Sequence, residues 1–245
     1  MTEPLINHVS DTAFWVAHYR ALESERADAL FHDPLAKRLS GEQGAQIART
    51  MSGSYFTSWA VVMRTCIIDD FIRFALAQGT DTVLNLGAGL DTRPYRMDFP
   101  ESLRWIEVDY PNVIAFKEER LHDEKPRCQL TRVKLDLANG ADRQQMLADT
   151  NAQAGKMLVL TEGVVPYLSE EEVGVLAEDL RSLEHAAYWI VDYFSPLALK
   201  HRPRRMKRNL KNAPFRFEPQ DWFGFFEQHG WHCKKMRYFA EEARR

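Results

Sequence analysis

The sequence predicts an α/β fold, a mostly parallel sheet with helices on both faces, and three observations carry that prediction. From Gly79 onward, short apolar runs alternate with helical windows. The runs are continuous in Val, Leu and Ile, as strands buried on both faces require. The first run, Thr82 to Leu86, passes directly into Gly87-Ala88-Gly89, the kind of turn that follows the first strand of a doubly wound unit.

The elements follow in order. Asp11 is expected to cap a helix through Phe14, Trp15, Ala17, His18 and Ala21-Leu22. Asp33-Pro34 opens a second, short helix, with proline in its first turn. Residues 55–77 form the strongest helix, with Val61, Ile68, Phe71, Ile72 and Ala75 at helical spacing and Gly79 closing it. Strands are expected at Thr82–Leu86, Arg104–Val108, Arg132–Leu135, Lys156–Leu160 and Ala187–Tyr193, with a sixth at Trp231–Tyr238. Helical windows lie between them at Asn112–His122, Gln144–Ala154, Glu170–Leu183 and Pro219–His229. The chain reads as one domain, 1–245, with residues 1–53 a helical cap and residues 54–245 the core.

Composition narrows the function classes. The 245 residues carry a net charge of −3, from 35 acids against 32 bases, which gives no global attraction to nucleic acid or an anionic membrane. Met1-Thr2-Glu3-Pro4 begins no apolar signal region, and runs such as Trp59 to Met63 are too short to span a bilayer. Cys66, Cys128 and Cys233 are dispersed without CxxC spacing, so reduced thiols and a cytoplasmic protein are expected.

The glycine turn is the most informative segment. The dinucleotide fingerprint fails, because Thr92 stands where its third glycine or alanine belongs, and no phosphate-binding P-loop occurs. The turn reads either as purely structural or as a loop that a nucleoside ligand approaches closely. Asp109 ends the second strand 20 residues after Gly89. An acid there can accept hydrogen bonds from both ribose hydroxyls, or it can cap the helix that Pro111 begins. The same pairing would suit a nicotinamide cofactor, so it does not name the ligand.

These residues carry a family resemblance. Leu84-Asn85-Leu86-Gly87-Ala88-Gly89-Leu90-Asp91-Thr92-Arg93, Glu107-Val108-Asp109-Tyr110-Pro111 and Leu160-Thr161-Glu162-Gly163-Val164-Val165-Pro166-Tyr167-Leu168 resemble the signatures of the leucine carboxyl methyltransferase family. That family is a branch of the Rossmann-like class I methyltransferases, which use S-adenosylmethionine and release S-adenosylhomocysteine. Thr12-Ala13, Arg20-Ala21-Leu22-Glu23 and Phe31-His32-Asp33-Pro34-Leu35-Ala36 resemble its bacterial, polyketide O-methyltransferase-like members.

The resemblance implies roles at matching positions. Arg64 would hold the cofactor's methionine carboxylate, a pairing its planar guanidinium suits. Gly87, Ala88 and Gly89 would lie under the methionine end, and Asp109 would bind the ribose. Asp136 and Leu137 would contact the adenine, and Glu162 would hold the ammonium group and favour the sulfonium side. Read alone, Asp136 is a turn or cap residue. Two departures stand out: Phe14 and Trp15 occupy the stretch where the leucine carboxyl branch has a lysine, and the chain stops at Arg245, short of the family's usual last strand. The first counts against a protein C-terminal carboxylate as acceptor. Either the sheet lacks that strand, which would expose an edge and invite a homodimer, or the chain is a truncated form.

Methyl transfer needs an in-line approach of the acceptor and exclusion of water. A carboxylate acceptor needs no base, whereas a phenol with a pKa of about 10 benefits from one. The histidines are dispersed, so no catalytic base and no metal site stand out. Tyr19 and Tyr167, with Phe14 and Trp15, are candidates to line the acceptor pocket, against a plain core role. The basic stretch Lys200 to Arg208 reads as a solvated face, or as an attractor for an acidic acceptor or carrier protein. The leading reading is an O-methyltransferase acting on a carboxylate or hydroxyl of a small molecule such as a polyketide. The alternatives are a non-catalytic relative that keeps the cofactor fold, and a nicotinamide-dependent oxidoreductase.

Overall fold

Five strands, β1 (Thr82–Leu86), β2 (Arg104–Asp109), β3 (Gln129–Lys134), β4 (Met157–Thr161) and β5 (Ala186–Val191), form a wholly parallel sheet in the order β3-β2-β1-β4-β5. The computed structural model describes residues 6–51, 54–195 and 208–242. Leu84 stands opposite Ile106 on one side and Val159 on the other, which fixes the register of the three central strands. Every residue of β1 and β4 is buried, which explains why their sequences are continuously apolar.

Alternate side chains serve the two faces. Leu84, Leu86, Ile106, Val108, Met157 and Val159 pack against α6 (Gly140–Asn151) and α7 (Glu170–Arg181) through Met146, Leu147, Leu176 and Leu180. Val83, Trp105, Leu158 and Leu160 pack against Ile68, Ile72 and Ala75 of α3 (Ser54–Ala77). Ser169 and Glu172 form a reciprocal capping box at the start of α7, their side chains and backbone amides pairing at 3.2 and 2.6 Å. The short α4 (Arg93–Arg96) follows the glycine turn, and α5 (Pro111–Arg120) follows β2.

The N-terminal helices α1 (Asp11–Ser24) and α2 (Pro34–Thr50) pack on each other and close over the glycine turn. Gly44 makes their approach possible, since a Cβ there would lie 2.5 Å from the Phe14 carbonyl oxygen. Arg20 of α1 donates through Nη2 to the Leu90 carbonyl at 2.5 Å. α2 opens at Asp33-Pro34 as expected, Asp33 accepting from Ala36 N at 3.1 Å, but it is not short: the chain kinks at Gly41, φ +51°, and continues helical to Thr50.

Four further expectations change. Asp11 does not cap α1 from outside; it is the first residue of the helix, and its carboxylate accepts from Asn7 N and His8 N of the turn before it. The third strand is longer than Arg132–Leu135 and begins at Gln129, because β2 offers a full ladder of backbone partners from Arg104 onward. The sixth strand, Trp231–Tyr238, is absent: the segment runs as irregular chain and joins no sheet. Its side chains bind instead of its backbone. The Trp231 indole donates to the Ala177 carbonyl at 2.9 Å and packs on Trp189, while the Lys234 and Lys235 ammonium groups sit over the Tyr188 and Phe74 rings at 5.3 Å. The last helices described are α8 (Trp222–Gln228) and α9 (Phe239–Glu242), α8 being shorter than the window 219–229. Among the described residues no helix is long and apolar enough to cross a membrane.

Candidate active site

In an open parallel sheet the ligand crevice lies beyond the carboxyl ends of the strands, where the winding direction reverses. Here the reversal falls between β1 and β4. The residues singled out from the sequence sit at these ends: Gly87 after β1, Asp109 at the end of β2, Asp136 and Leu137 after β3, and Glu162 after β4.

The glycine turn is held from below and from above. Gly87 N and Ala88 N both donate to the Val108 carbonyl, at 2.8 and 3.1 Å. Gly87 has φ +66°, and a Cβ on it would lie 2.4 Å from Val164 Cγ2, so glycine is required on both counts. Asp109 accepts from Gly89 N through Oδ2 at 2.6 Å and from Tyr110 N through Oδ1 at 2.7 Å. Each carboxylate oxygen therefore keeps further acceptor capacity. Burial raises the Asp109 pKa above the usual carboxylate value, against the lowering effect of those two amides and of Lys117. Asp136 is exposed and bonds Ala138 N at 2.9 Å, the turn role that its sequence position alone suggests.

Arg64 and Glu162 meet directly. Arg64 Nε lies 3.0 Å from Glu162 Oε1, and Arg64 Nη1 lies 3.8 Å from Asp192 Oδ2. On the other side of Glu162, Arg93 Nη1 donates to Oε2 at 2.8 Å and to Asp91 Oδ2 at 2.8 Å. Arg93 Nε donates to Asp69 at 2.7 Å, and Asp69 also receives both terminal nitrogens of Arg96 at 2.6 and 2.9 Å. Asn85 completes Asp91 at 2.9 Å. Burial alone would raise the Glu162 and Asp69 pKa values, but the facing guanidinium groups outweigh it and hold both below the ordinary carboxylate range. Asp91 is likewise lowered, burial being overcome by Arg93, Lys117 and Arg20. A second buried pair lies under β2, where Lys117 Nζ binds Glu107 at 2.7 Å and Arg132 Nε binds the other oxygen at 3.0 Å.

Arg93, Asp69, Asp91 and Asp192 were not anticipated as site residues. Asp91 and Arg93 lie within the motif already quoted, and Asp69 is an acid in the apolar run Ile67-Ile68-Asp69, a signal of a buried partner. Asp192, directly after β5 in the run Ile190-Val191-Asp192-Tyr193-Phe194, carried the same signal.

The acceptor candidates come together. Tyr19 and Tyr167 belong to one cluster with Trp15, Met51, Val61 and Leu210, and Tyr167 interacts electrostatically with Arg64. Tyr19 is only 2% exposed, so it is a core residue in this conformation. Phe14 turns toward α5, meeting Phe116 at 5.1 Å beside a cavity of about 240 Å³ bounded by Ala13, Leu90 and Val113. Of the basic stretch 200–208, residues 200–207 lie outside the described residues, and Arg208 is exposed. The three cysteines are free thiols, and burial pushes the Cys66 and Cys128 pKa values up to about 11 and about 12.

A parallel sheet with a glycine turn after β1, an acid closing β2 and charged side chains after β4 and β5 defines a doubly wound domain with its ligand crevice at the switch point. The chain belongs to the leucine carboxyl methyltransferase family, whose sequence profile matches residues 13–180. It is 36% identical over 178 residues to a Streptomyces coelicolor protein named "Putative S-adenosyl-L-methionine-dependent methyltransferase", covering 67% of this chain and 62% of that protein's length. A Parafrankia protein of the same name is 31% identical over 251 residues, covering 93% of this chain and 78% of that one. The crystal structure of a DUF574 family protein from Streptomyces avermitilis superposes with a TM-score of 0.54 at 18% identity, covering 86% of this chain and 80% of that chain. That likeness is one of fold.

Proposed function

We propose that the chain is an S-adenosylmethionine-dependent methyltransferase that methylates an oxygen of a small-molecule acceptor. The observation that carries this reading is the convergence of Gly87, Asp109, Arg64 and Glu162 at the carboxyl ends of β1, β2 and β4, within a family named for methyl transfer. The donor set fits the cofactor. Asp109 has acceptor capacity left for a ribose, and Arg64 and Asp192, a guanidinium and a carboxylate that meet only at 3.8 Å, match in charge the carboxylate and ammonium of the cofactor's methionine end. When bound, the cofactor supplies a methyl group activated on a sulfonium.

The chain's residues then bind, orient and shield. Arg64 pairs with the methionine carboxylate, Gly87, Ala88 and Gly89 support the methionine end, and Asp109 receives the ribose hydroxyls. Asp136 and Leu137 border the adenine, and Glu162 attracts the ammonium group. Arg93 holds Glu162 in place at 2.8 Å, so the carboxylate is ionised and fixed before any ligand arrives. Helices α1 and α2 form the wall that excludes water above the glycine turn. Tyr167, beside Arg64, borders the acceptor, and Tyr19, the other candidate, packs in the core behind it. We read residues 1–245 as one catalytic domain, with 1–53 its cap, working in the cytoplasm where its free thiols stay reduced. A homodimer through the open sheet edge, or an acidic carrier docking on residues 200–208, would extend this reading.

Calorimetric titration with S-adenosylmethionine and S-adenosylhomocysteine tests it. Micromolar binding is expected, weakened roughly tenfold or more by Arg64→Ala and by Asp109→Ala, as loss of a charge-assisted bond implies. Folded wild-type protein that binds neither ligand would overturn the reading.

A further inference from the structure

Asp192 differs from every other carboxylate of the buried cluster. Asp69 is held by Arg93 at 2.7 Å and by both terminal nitrogens of Arg96. Asp91 is held by Arg93 at 2.8 Å, and Glu162 by Arg93 at 2.8 Å and Arg64 at 3.0 Å. Asp33 faces Arg20 at 3.0 Å. Asp192 accepts a backbone hydrogen bond from Gly163 N, and its cation among the described residues is Arg64, at 3.8 Å and already committed to Glu162.

The charges of this linked cluster do not balance. Arg20, Arg64, Arg93 and Arg96 face Asp33, Asp69, Asp91, Glu162 and Asp192, and the adjoining Lys117 and Arg132 face Glu107 and Asp109, so among the described residues full ionisation leaves one negative charge in excess. An uncompensated buried charge is costly, and the cheapest relief is a proton on the least-partnered carboxylate. That carboxylate is Asp192, whose side chain is 8% exposed.

The groups facing it agree. Burial raises its proton affinity, Glu162 after β4 raises it further, and Arg64 of α3, the Gly163 amide and Arg93 of α4 oppose without prevailing. S-adenosylmethionine carries a carboxylate, an ammonium and a sulfonium, a net charge of one positive; S-adenosylhomocysteine lacks the sulfonium and is neutral overall. The pocket's excess and the methyl donor's charge are therefore equal and opposite.

Resting on the function proposed above, we infer that Asp192 is a proton-exchanging member of the cofactor pocket, protonated when the ligand is neutral and ionised when the ligand brings a sulfonium. The proton leaves its carboxyl group for solvent as the cation enters and returns when the neutral product remains. The pocket thus distinguishes donor from spent product by charge, at a residue whose facing cation, Arg64, is shared with Glu162.

Titration calorimetry in buffers of differing ionisation enthalpy reads this directly. Across a pH series that starts at the ordinary aspartate pKa of about 4 and runs upward, S-adenosylmethionine is expected to release up to about one more proton than S-adenosylhomocysteine on binding wild-type protein. In Asp192→Asn the Asp192-dependent part of that difference disappears, while any proton from the ligands' own ammonium groups persists. The variant also loses part of its preference for the methyl donor over the product. Equal proton release with both ligands, or a difference unchanged in Asp192→Asn, would overturn the inference while leaving the functional reading intact. Binding of neither ligand would overturn both.

Discussion

Arg93 Nη1 donates to Glu162 Oε2 at 2.8 Å, joining the start of α4 to the end of β4 across the switch point of the sheet. The bond lets one guanidinium serve the turn after β1, the acid after β4 and, through Asp69, helix α3. Its three carboxylate partners are themselves buried, so the group is both a structural pin and the support of the candidate site.

Arg93→Ala is expected to destabilise the protein by about 3–5 kcal/mol, because it strands buried carboxylates without a cation. Chemical denaturation gives the value. A loss below about 1 kcal/mol would mean that water or the remaining arginines satisfy Asp69, Asp91 and Glu162.

Gly87→Ala is expected to cost about 1–3 kcal/mol and to abolish ligand binding, since the residue has φ +66° and the new methyl meets Val164 Cγ2 at 2.4 Å. Adding Val164→Ala removes the clash and leaves the backbone strain. Denaturation of the single and double variants separates the two terms, with partial recovery expected in the double variant.

Gly44→Ala is expected to cost about 1–3 kcal/mol by pushing α1 and α2 apart, because the obstacle is the backbone carbonyl of Phe14 and cannot rotate away. Proteolysis confined to residues 10–50 would report the loosened cap. A variant as stable and as resistant as wild type would show that the two helices slide at no cost.

The pH dependence of stability carries a sign that Asp192 fixes. Burial raises its folded pKa above the value in the unfolded chain, so the folded state binds its proton more tightly. Its contribution is then most favourable at low pH and is lost as pH rises from the unfolded pKa through the folded one. Asn keeps the neutral shape, so the melting temperature of Asp192→Asn relative to wild type is expected to rise as pH increases above the ordinary aspartate pKa of about 4. A relative melting temperature that falls over that interval would contradict the sign.

How much of this was legible beforehand differs between fold and site. The continuous apolar runs of β1 and β4 announced strands buried on both faces, and the helical spacing in residues 55–77 announced α3, because burial pattern is written residue by residue. Gly87, Asp109 and Glu162 could be placed at strand ends, since Gly87 and Asp109 follow directly on apolar runs and Glu162 follows one residue later. Trp231–Tyr238 misled, because a strand exists only where a neighbour offers backbone partners, and a single segment carries no record of its neighbour.

By itself, then, the amino-acid order determined the parallel α/β architecture and which residues stand at the carboxyl ends of its strands. The tertiary structure alone decided the pairings among them: that Arg64 binds Glu162, that Arg93 serves three acids at once, and that Asp192 is left with a shared cation at 3.8 Å. The physical reason is range. Secondary structure and burial follow from neighbours a few residues apart, whereas an ion pair joins whatever the fold brings within a few ångströms, here residues 98 positions apart in the case of Arg64 and Glu162.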